Sequence, residues 1–262
     1  MDLALWIAKS GLEAHHKNMG IISNNLANSN TIGFKKNRAE FEDLPYQIVK
    51  QPGSPTTEVT NSPSGVAIGT GVKIADNKKI FTEGALVQTD NSLDIAISGR
   101  GFLKVQIPNQ SEFAYTRAGS LQVNEEGQMV LPNGYVVDPP IVIPPGAQQL
   151  QISNDGIVSV VTSGSSNAEQ VGQLEMSDFI NPAGLQPVGE NLYKETIASG
   201  PPVTGSPGGE GFGKIQQGAL EASNVNIVEE MVNLIEAQRA FEVTSKAVSA
   251  IDNMLQNLSR EV

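Results

Sequence analysis

Toward the C-terminus, Ile227, Leu234, Phe241, Val248, Leu255 and Val262 recur every seventh residue. Ala237, Thr244, Ile251 and Leu258 form a second row three residues behind. Two such rows, sustained to the end of the chain, predict a coiled-coil helix. Asn226 suits the N-cap, Glu229 holds the capping-box position, and Glu229 with Glu230 complements the helix dipole. Neither Gly nor Pro follows Asn226, so the helix is expected to run roughly 50 Å. The N-terminus repeats the pattern, with Leu5, Leu12, Met19 and Leu26 in one row and Ala8, His15 and Ile22 in the other. Gly11 and Gly20 interrupt it at about 1 kcal/mol each relative to Ala, which leaves the isolated helix marginal. It is expected to fade near Asn28, where Asn, Ser and Thr side chains compete for backbone hydrogen bonds.

Between the ends the period changes. Short apolar runs at Gly101–Ile107, Phe113–Thr116, Met129–Leu131, Tyr135–Val137, Ile141–Ile143, Leu150–Ile152, Ile157–Val161 and Gln173–Met176 predict strands. Asn133-Gly134 and Asp155-Gly156 read as hairpin turns between them. The run from Tyr46 to Ile74, with Gln51-Pro52-Gly53-Ser54-Pro55 and Asn61-Ser62-Pro63-Ser64-Gly65, cannot be regular helix. A second such stretch, Gly200–Gly213, leads back to the C-terminal helix. The fold class is therefore α+β: long terminal helices packed together, an inserted, mostly antiparallel β domain, and an extended Pro/Gly-rich arm. The expected divisions are 1–33 with 219–262 (helical), 34–90 (linker and arm) and 91–218 (β domain with its return linker).

Two terminal helices cannot cover each other on all sides. An apolar side chain contributes roughly 1.5–3 kcal/mol only where a partner buries it. The missing cover is expected from other copies of the chain. The residues assigned to helix packing between subunits are Leu5, Leu12, Met19, Ile22, Leu26, Ile227, Leu234, Phe241, Val248, Ile251, Leu255 and Leu258.

Composition narrows the chemistry. Of 262 residues, 28 are acidic and 17 basic, a net charge of −11, which argues against nucleic acid and against an anionic membrane surface as partner. Cys is absent, so thiol and disulfide chemistry are excluded. No run reaches the ~20 apolar residues of a membrane span, so no membrane insertion is expected. The first residues lack the basic start of a secretory signal, and Lys9 cuts their apolar stretch short, so any export is expected to use another route. Gly208-Gly209-Glu210-Gly211-Phe212-Gly213-Lys214 has the spacing of a phosphate loop, but Ile215 replaces the hydroxyl and Pro201-Pro202 stand where a strand should precede it. His15 and His16 are adjacent and point about 100° apart on a helix, unsuited to sharing a metal. Neither cofactor, metal nor catalytic residue is assigned. The Asn-rich stretch from Asn24 to Lys35 is better explained as a junction whose amides bond neighbouring backbone and fix how the chain leaves the helix.

Three separated segments carry a family resemblance. At the N-terminus they are Leu5-Trp6, Ser10-Gly11-Leu12, Met19, Asn24-Asn25-Leu26-Ala27-Asn28 and Asn30-Thr31-x-Gly33-Phe34-Lys35. Before the C-terminal helix stand Gly218-Ala219-Leu220-Glu221-x-Ser223-Asn224-Val225-Asn226, with Glu230-Met231-Val232 and Gln238-Arg239-Ala240-Phe241-Glu242 further on. In the middle are Thr89-x-Asn91-x-Leu93-Asp94-x-Ala96-Ile97-x-Gly99-x-Gly101-Phe102 and Tyr115-Thr116-Arg117-x-Gly119. Together they resemble the bacterial flagellar rod and hook proteins over nearly the whole chain. Gly20 and Leu121 depart from residues common in that family.

The resemblance implies a protein without catalysis that polymerises into a helical tube between motor and hook. The length and the segment from Phe41 to Val72 point to the distal part of the rod, the proximal part being the alternative. A β-domain binding module for cell wall or ring proteins is a further one. The implied partners are other copies of the chain, other rod subunits and hook protein at the tube ends, the surrounding L and P ring proteins, and the flagellar type III export apparatus. The implied location is the periplasmic rod of the basal body. The implied site residues are a junction of Asn25, Asn28, Asn30, Thr31, Gly33 and Phe34, and a rod-stiffening arm with Gln51, Pro52, Gly53, Pro55, Pro63 and Gly65.

Overall fold

A computed structural model of the protein describes residues 3–53, 63–108, 112–162 and 168–261, without the side chains of 255 and 258–261. The expected positions Pro55, Val262, and the side chains of Leu255 and Leu258 lie outside the described residues. Two compact units divide the chain. Unit 1 joins residues 1–27, 37–79 and 226–262; unit 2 joins 28–36 and 80–225.

In unit 1, helix α1 (Leu3–Ala27) packs against helix α2 (Ile227–Glu261). The first helix ends at Ala27, where the Asn-rich run begins. The second is capped by Asn226, whose Oδ1 accepts from the Val228 and Glu229 amides at 3.1 and 3.4 Å. On α2 the packed face is Glu230, Leu234, Ala237, Phe241, Thr244, Val248 and Ile251, each buried or half-buried. That is the heptad face, while Ile227 at its start is exposed.

The strand-like sequence between the helices forms ribbons. Strand β1 (Asn37–Asp43) pairs antiparallel with β4 (Val72–Lys79), and β2 (Gln47–Lys50) with β3 (Val66–Ile68). The β1–β4 ribbon lies on α1 and covers a second side of it. This explains why burial on α1 spreads beyond the two heptad rows. Ala14 and Asn25 are buried, and the His15 ring lies 6.3 Å from that of Phe41 on the ribbon. Ser10 Oγ accepts from the Val72 amide at 3.3 Å. At Gly71 the backbone takes a φ of +127°, and a Cβ there would stand 2.1 Å from Ser10 Oγ, so helix and ribbon meet only over glycine.

Unit 2 is antiparallel throughout. Its strands are β5 (Leu86–Gln88), β6 (Ile95–Ser98), β7 (Phe102–Gln106), β8 (Phe113–Thr116), β9 (Gln122–Val123), β10 (Met129–Val130), β11 (Val136–Asp138) and β12 (Ala147–Ile152). They continue with β13 (Ile157–Thr162), β14 (Glu169–Gln173), β15 (Met176–Asp178), β16 (Gln186–Gly189), β17 (Leu192–Lys194), β18 (Val203–Gly205), β19 (Lys214–Gln217) and β20 (Ala219–Glu221). The large sheet runs β16-β17-β8-β7-β11-β10-β9, with β15 also on β7 and β18 on β15. A second sheet is β12-β13-β14, and β19 pairs with β6 and β20 with β5. Asn133-Gly134 and Asp155-Gly156 make the expected hairpin turns. The run Ile141–Ile143 yields one isolated bridge instead of a strand. It is flanked by Pro139-Pro140 and Pro144-Pro145, which have no amide hydrogens to donate to a ladder. The run Gln173–Met176 is divided between β14 and β15.

Two apolar clusters fill unit 2. One is aliphatic, with Ile95, Leu103, Val105, Met129, Leu174 and Ile215 among its fully buried members. The other is aromatic: Tyr115 meets Phe179 edge-on at 4.8 Å, and Phe81 meets Tyr193 at 5.4 Å. Burial in this cluster pushes the Tyr193 phenol above its usual pKa.

Candidate functional site

Unit 2 holds a buried ionic joint assembled from distant parts of the chain. Lys35 and Glu221 are wholly buried, and Arg117 is 4% exposed. Lys35 Nζ donates to Glu221 Oε1 at 2.5 Å and to the Thr82 carbonyl at 2.6 Å. Arg117 Nη1 reaches both Glu221 oxygens at 3.3 Å. Its Nε donates to the Gly101 carbonyl at 3.1 Å, and Nη2 donates to that of Gly99. The Gly84 amide gives Glu221 Oε1 another donor at 3.0 Å. Two cations thus share one carboxylate, and the Thr82, Gly99 and Gly101 carbonyls accept further donors from them. Desolvation holds the Lys35 ammonium below its usual pKa, while the Glu221 charge opposes that shift.

Backbone and amide bonds surround the joint. The Gly33 amide donates to the Glu221 carbonyl at 2.8 Å. Asn224 Oδ1 accepts from the Lys36 amide at 2.7 Å, and Asn224 Nδ2 donates to the Ile80 carbonyl at 2.9 Å. Gly33 has a φ of +70°, and a Cβ there would lie 2.8 Å from the Ala118 amide nitrogen. The three sequence segments that carry the family resemblance therefore meet here. Sequence reasoning assigned no role to Lys35, Arg117 or Glu221. The available signal was a full charge set among small or apolar neighbours, as in Leu220-Glu221-Ala222.

Unit 1 has a joint of its own. Asn25 is 1% exposed; its Oδ1 accepts from the Asn37 amide at 2.9 Å and its Nδ2 donates to the Asn37 carbonyl at 2.8 Å. The same Nδ2 lies 3.2 Å from Glu230 Oε2 on α2. One carboxamide therefore ties together α1, β1 and α2. The other junction residues fall in unit 2. Asn28 and Thr31 bond each other in a turn, Gly33 and Phe34 are buried, and Asn30 is exposed.

Of the residues assigned to contacts between subunits, Ile22 is buried, and Leu5, Leu12, Met19, Leu26, Leu234, Phe241, Val248 and Ile251 are half-buried within unit 1. What α2 leaves open is the opposite side. Val228 is 71% exposed, and Met231, Val232 and Ile235 are about half exposed. Their i, i+3, i+4, i+7 spacing makes one apolar stripe. In the arm, Gln51, Pro52, Gly53 and Pro63 are exposed and Gly65 is half-buried. A Cβ on Gly65 would meet Pro52 Cδ at 2.7 Å. The β2–β3 ribbon that carries them exposes Ile48, Val49, Val66 and Ile68, with Tyr46 beside it.

The glycine-rich segment 208–214 ends in β19, not in a helix, so its amides do not form the phosphate cradle of a nucleotide loop. Among the described residues no cluster of three or more His, Asp or Glu could hold a metal ion, and no helix is long and apolar enough to cross a membrane.

Three family profiles match the chain. Residues 5–35 match "Flagella basal body rod protein", 96–160 match "Flagellar hook protein FlgE/F/G D1 domain", and 216–261 match "Flagellar basal body rod FlgEFG protein C-terminal". The chain is 49% identical over 257 residues to flagellar basal-body rod protein FlgG of Buchnera aphidicola from Schizaphis graminum, covering 98% of each. It is 48% identical over 266 residues to FlgG of Borreliella burgdorferi, covering 100% of each. Similarity to flagellar basal-body rod protein FlgF of Caulobacter vibrioides is lower, 36% over 251 residues, covering 94% of this chain and 92% of that one.

Proposed function

The chain belongs to the flagellar basal-body rod protein family, the premise from which we propose how it works as a structural subunit of the rod. Copies polymerise into the distal stretch of the rod, a rigid helical tube that transmits torque from motor to hook and encloses the export channel. The terminal helices line the tube and the β domain faces outward. The observation that carries this reading is the apolar stripe of α2 left open on the side away from α1. A helix apolar on both sides, in a chain of this length, asks for a second partner. Contacts between unlike surfaces on successive copies give an open helical polymer rather than a closed ring. The higher identity to FlgG than to FlgF favours the distal over the proximal position.

In this reading the protein is a scaffold without catalysis. It crosses to the periplasmic rod through the flagellar type III apparatus, meets other rod subunits and hook protein at its ends, and turns inside the L and P rings. Polymerisation should protect the helical ends. Purified chain at low concentration is expected to lose its termini to protease, and sedimented polymer to retain them. A chain that neither sediments nor gains protection at any concentration contradicts the proposal.

The β2–β3 ribbon is the stiffening arm. Its exposed apolar side chains lie across neighbouring subunits and limit sliding, and its prolines lose little freedom on ordering. The Leu44 amide already bonds the Gly71 carbonyl at 2.9 Å, so β1 and β4 can be joined by a short turn in place of residues 47–68. That deletion is expected to give tubes that still form but bend, with a shortened persistence length in electron micrographs. Straight tubes would remove the assigned role.

A further inference from the structure

We propose that the open stripe of α2 docks, copy to copy, into a trough between α1 and β4 of a second molecule of the same chain. This rests on the self-assembly reading and names the two surfaces that meet. The trough has a volume of about 520 Å³ and is lined by Lys17, Gly20, Ile21, Asn24, Ile74 and Asn77. A smaller recess of about 210 Å³ continues it along α1 toward Trp6, sharing Lys17 and Ile74. Trp6 is 49% exposed at that end, with the Lys9 ammonium 5.6 Å from its ring.

Both shape and charge select the occupant. Val228, Met231, Val232 and Ile235 cover two helical turns, about 10 Å of axis, and match a helix-in-groove mode with anchors at i, i+3, i+4 and i+7. At the trough, a Cβ built on Gly20 meets nothing within 4 Å, so the floor is open to an incoming side chain. Beside the stripe, Glu229 and Glu236 are exposed and precede Arg239, whereas Glu230 is buried on the opposite face toward α1. Along α1, Lys9 and Lys17 face Glu13 alone, which pairs with Lys17 at 2.9 Å. An acidic helix face thus meets a helix of net positive charge, in a chain whose total of −11 disfavours most other approaches between copies. Stripe and trough are different surfaces, so each copy offers one of each, and the contact propagates without closing.

The absence of cysteine makes the test direct. Chains carrying Gly20→Cys and Val232→Cys together are allowed to polymerise, oxidised, sedimented and resolved without reductant. A ladder of covalent oligomers in the pellet is expected, with monomer in the dilute supernatant. A mixture of Gly20→Cys chains with Val232→Cys chains should stop at dimers. Polymer of the double variant without a ladder overturns the pairing. So do dimers formed by Val232→Cys chains alone, which would mean a symmetric stripe-to-stripe contact. If wild-type chain never sediments, the self-assembly reading fails and this inference falls with it. If wild type sediments and the double variant does not, Gly20→Ser is polymerised alone. Its failure supports an occupied trough, and normal polymer overturns it.

Discussion

Replacing Glu221 with Gln is expected to cost about 3–5 kcal/mol, a large share of the roughly 5–15 kcal/mol that holds a folded protein together. The side chain is wholly buried and is the carboxylate that pairs with both buried cations, Lys35 and Arg117. The amide keeps the shape and one acceptor oxygen but removes the countercharge. Arg117 retains its carbonyl acceptors, so the larger part of the loss falls on Lys35. This predicts a pH signature. Burial already sets the folded Lys35 pKa below its ordinary 10.5. Removing the opposing carboxylate lowers it further. Between that lowered value and 10.5 the unfolded chain binds more protons than the folded one, so stability rises with pH. The deficit of Glu221→Gln against wild type should therefore narrow as pH climbs from 7 toward 10. Lys35→Met placed on the Glu221→Gln background should restore part of the loss at pH 7. Urea unfolding followed by circular dichroism measures all three. A deficit under about 1 kcal/mol, or one independent of pH, would show that the joint is not held by charge.

How much of this was legible in the sequence depends on whether a feature is periodic or distant. The α2 heptad positions from Leu234 to Ile251, the N-cap at Asn226 and the turns at Asn133-Gly134 and Asp155-Gly156 are local patterns, and the folded chain shows each of them. The second covered side of α1 was not legible, because it depends on a ribbon that begins ten residues beyond the helix end, at Asn37, and returns at Val72. Nor did the heptad count reveal the stripe at Val228, Met231, Val232 and Ile235, which lies off both rows. The ionic joint escaped for a related reason. Lys35 and Glu221 are 186 residues apart, and each alone reads as a surface charge. Only the folded topology puts them within 2.5 Å.

Phe241→Asp is expected to abolish polymerisation while sparing unit 2. The ring is half-buried on the face of α2 that packs against α1, one turn from the buried Ala237, with its centroid 6.5 Å from that of His16. A carboxylate in that position must lose part of its hydration and takes the place of an apolar ring in the helix contact. The helices can avoid this cost only by separating. Separation removes the tertiary packing on which α1, interrupted by Gly11 and Gly20, depends. The aliphatic and aromatic clusters of unit 2 contain neither helix, so their cooperative unfolding should survive. The expected result is reduced ellipticity at 222 nm, no sedimenting polymer, and a retained thermal transition from the β domain. Phe241→Leu, which keeps the apolar contact, should assemble at a cost below about 1.5 kcal/mol. Polymers of normal length from Phe241→Asp would mean that packing between α1 and α2 is dispensable for assembly. Loss of the β-domain transition as well would mean that unit 2 cannot hold its fold without the helix pair.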